Sequence, residues 1–345
     1  MMHTIAIHPD GFEKNSDYSA PYWIEYLQSK GCNIKLVNAY SSDIIHQLTG
    51  CHGFMWRWFH GGHDAKVAQR IIPVIENYLK ILCFPDISTC WYYDDKISQK
   101  YIFEACNIPH PMTWYFVNKA DAIKWVKEEA SFPLIMKLSH GAGSTGVKLL
   151  KNKSDAMHWI KLLFDNGIIS LEKYPILYRI KDSIKYSLDS ILRGWANHRL
   201  KNQLLSYGYI LFQEFLPYNK WDTRVTVIGN RAFAFRRFNR KNDFRASGSG
   251  LIDYSISEID TKFIRLAFEI SKKLKCQSIA IDGLWKNSVP VVGEISYTFA
   301  QKAIFDAPGH WELSPSGSLI WHDGHMWPGT AQAIDFFEQL IRRAE

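Results

Sequence analysis

The chain has 345 residues, 47% hydrophobic and 14% aromatic, enough to bury a substantial core and to divide into two or three packed lobes. Its 41 basic against 34 acidic residues leave a formal charge of +7, below what a dedicated nucleic-acid coat carries, so the placement of charge matters more than its total. The opening MMHTIAIHPDGF lacks the pattern of a secretory signal, no apolar run approaches the roughly 20 residues that span a bilayer, and the six scattered cysteines form no CxxC pair. These features argue against a membrane span, a disulfide framework and a zinc ribbon, and a cytoplasmic protein with reduced thiols is expected.

In chain order, TIAIH, the helical APYWIEYLQSKG, the strand NIKLVNA, then GFMWRW, DAKVAQRIIPVIENYLKI and LCFPD alternate strand and helix. This is βαβ logic and predicts an open α/β lobe with a parallel sheet over residues 1–94. From Tyr92 an Asp-capped helix runs into a turn with two prolines and a strand, which marks a lobe boundary. DAIKWVKEEA then leads to the strand PLIMKLS and the glycine-rich turn HGAGSTGVKLL. The stretch 154–203 reads as largely helical and polar, suited to a lid. YILFQEFL, DTRVTVIGNRAFAFRRF and SIAIDGLWKNSVPVVGEISY read as β-rich, with the helix EIDTKFIRLAFEISKKL between the last two. GTAQAIDFFEQLIRRAE closes the chain as a helix.

Three stretches carry residue types suited to chemistry. Lys137 ends a strand and precedes Gly141, Gly143, Ser144 and Gly146, so backbone N–H groups and a lysine could cradle phosphates; a plain hairpin turn would use the same residues. Gln213 and Glu214 end a strand before a proline turn, where they could meet an adenine edge with Asp222 near a ribose, or simply meet solvent. Asp282 ends one strand of a hairpin while Glu294 and Ser296 share a face of the next, and such oxygens suit Mg2+ completed by water and phosphates.

Together DDKISQKYIFEACNIPHP, PLIMKLSHGAGSTGV, FQEFL, DTRVTVIG, RRFNRKNDFRASGSG and IDGLWKNSVPVVGEIS resemble, in this order, the ATP-grasp superfamily over roughly Asp95 to Phe299. The resemblance implies an α/β ATP-grasp fold: an N-terminal lobe over 1–94 and an ATP-grasp domain over 95–345, with a lid lobe about 112–210 and a C-terminal lobe about 211–345. It implies that Lys96 and Lys137 bind nucleotide phosphates and that the loop of Gly141, Gly143, Ser144 and Gly146 folds over them. Gln213, Glu214 and the Leu216 backbone would meet adenine, Asp222 the ribose, and Asp282 and Glu294 would hold Mg2+, with Mn2+ as the alternative ion. Glu294-Ile295-Ser296 stands where that pattern ends in Glu-x-Asn, which makes the last ligand the Ser296 hydroxyl. This variant, with FRASGSG and WYYDDK, looks most like a group encoded among bacterial cell-surface polysaccharide genes, implying sugar-linked substrates.

By resemblance the expected activity is ATP-dependent carboxylate-amine ligation through an acylphosphate, with small-molecule carboxylate and amine partners and no nucleic acid. Arg245, Arg237 and the nearby Ser247 are the expected catalytic residues, because an arginine fork can hold a carboxylate or phosphate bidentately. Arg240 and Lys241 are expected on a solvated turn, and Trp56, Arg57 and Trp58 as a first-lobe wall of the substrate site. His60, His63, His322 and His325 have metal-like spacing without a complete ligand set. Two rival readings are a phosphotransferase using the same cleft and a nucleic-acid module built on basic residues 236–245, which predicts steeply salt-dependent binding.

Overall fold

The computed structural model describes residues 2–59, 63–141, 143, 146–168 and 205–344. Ser144 and His60, and the part of the expected helical lid over 169–203, lie outside the described residues.

Strands β1 (Thr4–His8), β2 (Asn33–Leu36), β3 (Gly53–Trp56) and β4 (Leu82–Phe84) form a parallel sheet in the order β2-β1-β3-β4. Helices α1 (Ala20–Ser29), α2 (Ile44–Gln47), α3 (His63–Asn77) and α4 (Ile87–Cys90) complete this lobe. Its central strands are apolar on both faces, as a doubly covered parallel sheet requires. Ala6, Phe54, Trp56 and Cys83 pack on Ile44, Ala68, Ile72 and Ile75, while Ile5, Ile7 and Met55 pack on Trp23 and Leu27.

Helix α5 (Lys96–Ala105) follows, capped by Asp95, whose carboxylate accepts from the N–H groups of Ile97 and Ser98. Next come β5 (Thr113–Phe116), α6 (Lys119–Glu128), β6 (Leu134–Lys137), β7 (Val147–Leu150), α7 (Lys153–Asp165) and β8 (Ile210–Glu214). The strands form an antiparallel sheet in the order β5-β8-β6-β7. Asn118 and Asn152 cap α6 and α7, which lay Trp125, Val126, Ile160 and Leu163 on Met136, Leu150 and Phe212.

The third sheet has seven strands: β9 (Trp221–Ile228), β10 (Arg231–Phe238), β11 (Ile252–Asp253), β12 (Ser278–Lys286), β13 (Val289–Ser296), β14 (Gly309–Leu313) and β15 (Leu319–Asp323). Their order is β13-β12-β9-β10-β14-β15, with β11 on β10. Helix α8 (Thr261–Leu274) buries Phe263, Ile264, Ala267 and Ile270 against Val225, Ile279, Ile281 and Val292. Gly283 is required here, since a Cβ would come within 2.5 Å of the Phe263 ring. The short α9 (Gln301–Phe305) leads to β14, and α10 (Pro328–Ala344) ends the chain. It returns Ala333, Phe336 and Leu340 to the face of the first sheet that α1 also covers. No helix among the described residues is long and apolar enough to cross a membrane.

Candidate active site

The second and third sheets face each other across a cleft. On the third sheet, the antiparallel registers set Asp282 opposite Glu294 on one side and opposite Arg224 on the other, and set Asp222 opposite Arg237. Residues directly opposite across antiparallel strands share a face, so Glu294, Asp282 and Arg224 form one row. The register shifts between Asp282 and Gly283, an irregularity of the kind that ends regular pairing and re-aims side chains beside active sites.

The row is electrostatically tight. Arg224 donates to both Asp282 oxygens, from Nε at 2.5 Å and Nη2 at 2.9 Å, and Arg237 Nη2 lies 2.8 Å from Asp282 Oδ2. Arg237 also forks onto Asp222, with Nε donating at 2.8 Å and Nη2 at 2.6 Å. Burial alone would push the Asp282 carboxyl up, but the two guanidiniums outweigh it and hold it well below the usual carboxylate range. Asp222 goes the other way: burial raises it despite Arg237.

From the second sheet, Lys137 at the end of β6 donates to the Gly293 carbonyl at 3.2 Å. Burial lowers its ammonium from an ordinary 10.5 to about 8, although Glu294 and Asp282 oppose the shift. Lys96, buried at the start of α5, donates to the Gly141 carbonyl at 3.0 Å and sits 3.2 Å from Glu294 Oε1 and 3.6 Å from Asp94 Oδ1. Its burial would lower its pKa, but the two carboxylates win and raise it. Asp94 was not singled out in the sequence. It has a left-handed φ of 53°, is buried, and accepts from the Gly141 N–H at 2.9 and 3.1 Å. It thereby fixes the start of the glycine loop.

Two cavities meet at this row. The first, about 480 Å³, lies between the sheets, with Ile135, Val147, Phe215, Leu216 and Leu284 among its apolar walls and Lys137, Asp282, Glu294 and Ser247 among its polar ones. Gln213 and Glu214 line it as well. Gln213 donates to Thr113 Oγ1 at 3.1 Å, and Glu214 pairs with Lys286 at 2.6 Å and accepts from the Met112 N–H at 3.0 Å. Asp222 lines it with both oxygens engaged by Arg237. The second, about 340 Å³, opens towards the first lobe and shares Asp282, Glu294 and Ser247 with the first, adding Arg57, Tyr93, Arg224, Arg237 and Ser296. Arg57 is buried there, donating to Thr298 Oγ1 at 2.9 Å and to the Phe299 carbonyl at 2.6 Å. Its neighbours Trp56 and Trp58 are instead fully buried in the first lobe's core, where Trp58 packs against Tyr93 and Tyr297.

The basic run divides. Arg236 faces away from Arg237 because successive strand residues alternate, and it pairs with Asp253 and Glu258 and stacks 4.8 Å from the Trp221 ring. Arg245 pairs with Asp243 at 2.6 Å and lines the first cavity with Ser247. Lys241 is exposed, but Arg240 is partly buried and donates to the carbonyls of Gly143 and Ser247, a correction to its expected solvated place. Those two carbonyl bonds hold it inward.

Asp282 and Glu294, opposite each other with the Ser296 hydroxyl two residues on, fit the hard-oxygen preference of Mg2+ when phosphate oxygens and water complete the shell. Ser296 Oγ donates to the Thr298 carbonyl at 2.7 Å. Among the described residues no group of three or more His, Cys, Asp or Glu side chains is arranged to hold a metal by itself, so any ion here depends on a ligand's oxygens. His322 sits 3.4 Å from Glu312, and His325 Nδ1 donates to the Phe305 carbonyl at 2.8 Å.

No protein-family model matches the sequence, and no curated protein matches it. Solved structures do. D-cycloserine synthetase DcsG is similar over 98% of this chain and 99% of its own, at 11% identity and a TM-score of 0.57. The Bacillus anthracis D-alanine–D-alanine ligase complexed with ATP is similar over 99% and 98%, at 13% identity and a TM-score of 0.51. A RimK domain ATP-grasp protein from Sphaerobacter thermophilus DSM 20745 is similar over 85% and 90%, at 15% identity and a TM-score of 0.50. The parallel first sheet, the two facing antiparallel layers and these likenesses together establish that the chain has the ATP-grasp fold.

Proposed function

We propose that the chain is an ATP- and Mg2+-dependent ligase that joins a small carboxylate to a small amine. The observation that carries this reading is the junction of the two cavities at Asp282, Glu294 and Ser247. A partly apolar chamber lined by the half-buried Lys137 suits a nucleotide, with its base among Ile135, Leu216 and Leu284 and its phosphates towards Lys137 and Lys96. Gln213, Glu214 and the Leu216 backbone stand at the base end, and Asp222 further along, where Arg237 must share it with a ribose hydroxyl. Gly143 and Gly146 supply backbone N–H groups over the phosphates, while Gly141, its N–H held by Asp94, anchors the start of the loop to which Ser144 also belongs. Asp282 and Glu294, with Ser296, would hold Mg2+. The ion would neutralise phosphate charge during transfer.

In the second chamber the substrate carboxylate would lie near Arg237 and Arg224, which orient its oxygen in line with the γ-phosphorus. That oxygen forms the new P–O bond while the bond to ADP breaks. The amine then adds to the acyl carbon, loses a proton, and expels inorganic phosphate. Arg237 and Arg245, with Ser247 beside them, stabilise the spreading negative charge without covalent participation by the protein. The exposed Phe59 ring at the second chamber suits a sugar ring, which supports a sugar acid as the carboxylate and a role in surface polysaccharide synthesis.

An ADP-release screen pairing amino acids with uronic or nucleotide-linked sugar acids tests this. The expected result is stimulated release, equal amounts of ADP and free phosphate, and a product whose mass equals the two substrates less one water. Phosphate retained on the acceptor would make the chain a phosphotransferase instead. Asp94→Ala, which frees the Gly141 N–H, is expected to weaken nucleotide binding about tenfold, the scale of one charge-assisted hydrogen bond, in a fluorescent-nucleotide titration.

A further inference from the structure

Arg240 bridges two loops that belong to different layers. Its Nη2 donates to the Gly143 carbonyl at 3.1 Å, in the loop between β6 and β7, and to the Ser247 carbonyl at 2.8 Å, in the loop after β10. Gly248 marks how close these loops come. Its φ is +75°, and a Cβ there would lie 2.8 Å from Arg240 Nη2 and 3.6 Å from the Gly143 oxygen. The left-handed backbone favours glycine, and a side chain here would displace the Arg240 guanidinium.

Among the described residues no carboxylate pairs with Arg240, whereas Arg236 and Arg237 of the same run each have two and Arg245 has Asp243. Its charge is directed at two carbonyl dipoles instead. A planar guanidinium can hold two acceptors at a fixed separation, which a lysine ammonium on a flexible stem does less well. The two carbonyls also have different duties. Gly143 belongs to the loop over the expected phosphates, and Ser247 lines both cavities.

We propose that Arg240 is a positioning residue that couples the glycine loop to the loop carrying Arg245 and Ser247, so that nucleotide in the first cavity orders the wall of the second. This rests on the nucleotide reading above. It explains how acceptor chemistry could be assembled only after ATP is in place, since the loop that presents Arg245 is fastened through Arg240 to the loop that ATP orders.

Hydrogen exchange followed by mass spectrometry on the full chain tests it, using wild type, Arg240→Ala and Arg240→Lys, each with and without AMP-PNP and Mg2+. In wild type the nucleotide should slow exchange in peptides covering 141–146 and 245–251. In Arg240→Ala the slowing should persist at 141–146 but shrink roughly three- to thirtyfold at 245–251, with partial recovery in Arg240→Lys. Without nucleotide, Arg240→Ala should exchange faster than wild type in both segments. A purely structural role would raise exchange at 245–251 equally with and without nucleotide and leave the nucleotide-dependent increment intact, which overturns the coupling. If wild type fails to bind AMP-PNP, the nucleotide reading falls and the coupling with it. The clasp itself is then judged by the nucleotide-free comparison, where unchanged exchange in either segment overturns it.

Discussion

Replacing Glu294 with Gln is expected to lower MgATP turnover by about 10²–10³-fold or more, the scale of losing a group that stabilises transferring charge, while leaving the melting temperature close to wild type. Glu294 is partly solvent-exposed, and its buried partner Lys96 keeps a second carboxylate, Asp94, at 3.6 Å when Glu294 is neutralised. Asp282→Asn should show the opposite balance. Asp282 sits between Arg224 and Arg237, and neutralising it removes the carboxylate from half-buried Arg224 and leaves buried Arg237 with Asp222 alone. Breaking a buried pair from one side costs about 3–5 kcal/mol, so this variant should lose both turnover and stability. Melting curves beside an ADP-release assay separate the two. A Glu294→Gln enzyme with normal turnover would remove Glu294 from the site.

The second large effect concerns Lys137. Burial holds its ammonium near 8, so the unliganded protein loses this charge as the pH rises through that value. Phosphates arriving beside it favour the charged form. Nucleotide binding above pH 8 should therefore take up a proton, and affinity should fall by up to about tenfold per pH unit until the liganded pKa is reached. Calorimetry in buffers of different ionisation enthalpy should show proton uptake at pH 9 and little at pH 7. Lys137→Ala should abolish both the tight binding and its pH dependence. Stability has a defined sign as well. The folded pKa is depressed, so the unfolded chain carries more protons between about 8 and 10.5, and folding stability from this group grows as pH rises through that window. A nucleotide affinity that is flat from pH 7 to 9.5 would contradict the role of Lys137.

Much of the site follows from strand alternation. Glu294 and Ser296 share a face because they are two apart, and Arg236 and Arg237 part company because they are adjacent, which is why a run that looks uniformly basic splits between two surfaces. The same rule places Arg224 on the face of Asp222, a signal already present in DTRVTVIG although no role was read from it. Helix α5 and its Asp95 cap were legible from the local capping pattern. Asp94 was not, because its hold on Gly141 depends on a loop 47 residues away in the chain, a separation no local pattern encodes. Nor could the sequence reveal that both Asp222 oxygens face Arg237, since that depends on the register of the β9–β10 hairpin. The return of α10 to the first sheet is likewise a tertiary outcome: its amphipathic pattern announces a buried face but not which sheet covers it.

The first cavity is expected to be a Mg2+-dependent nucleotide site. Isothermal titration of the wild-type chain with AMP-PNP, in the presence of Mg2+ and again in EDTA, tests this directly. The expected result is one saturable site per chain with Mg2+, markedly weakened in EDTA. Absence of saturable binding, or an affinity indifferent to Mg2+, would contradict the assignment of Lys96, Lys137, Asp282 and Glu294 to a common centre.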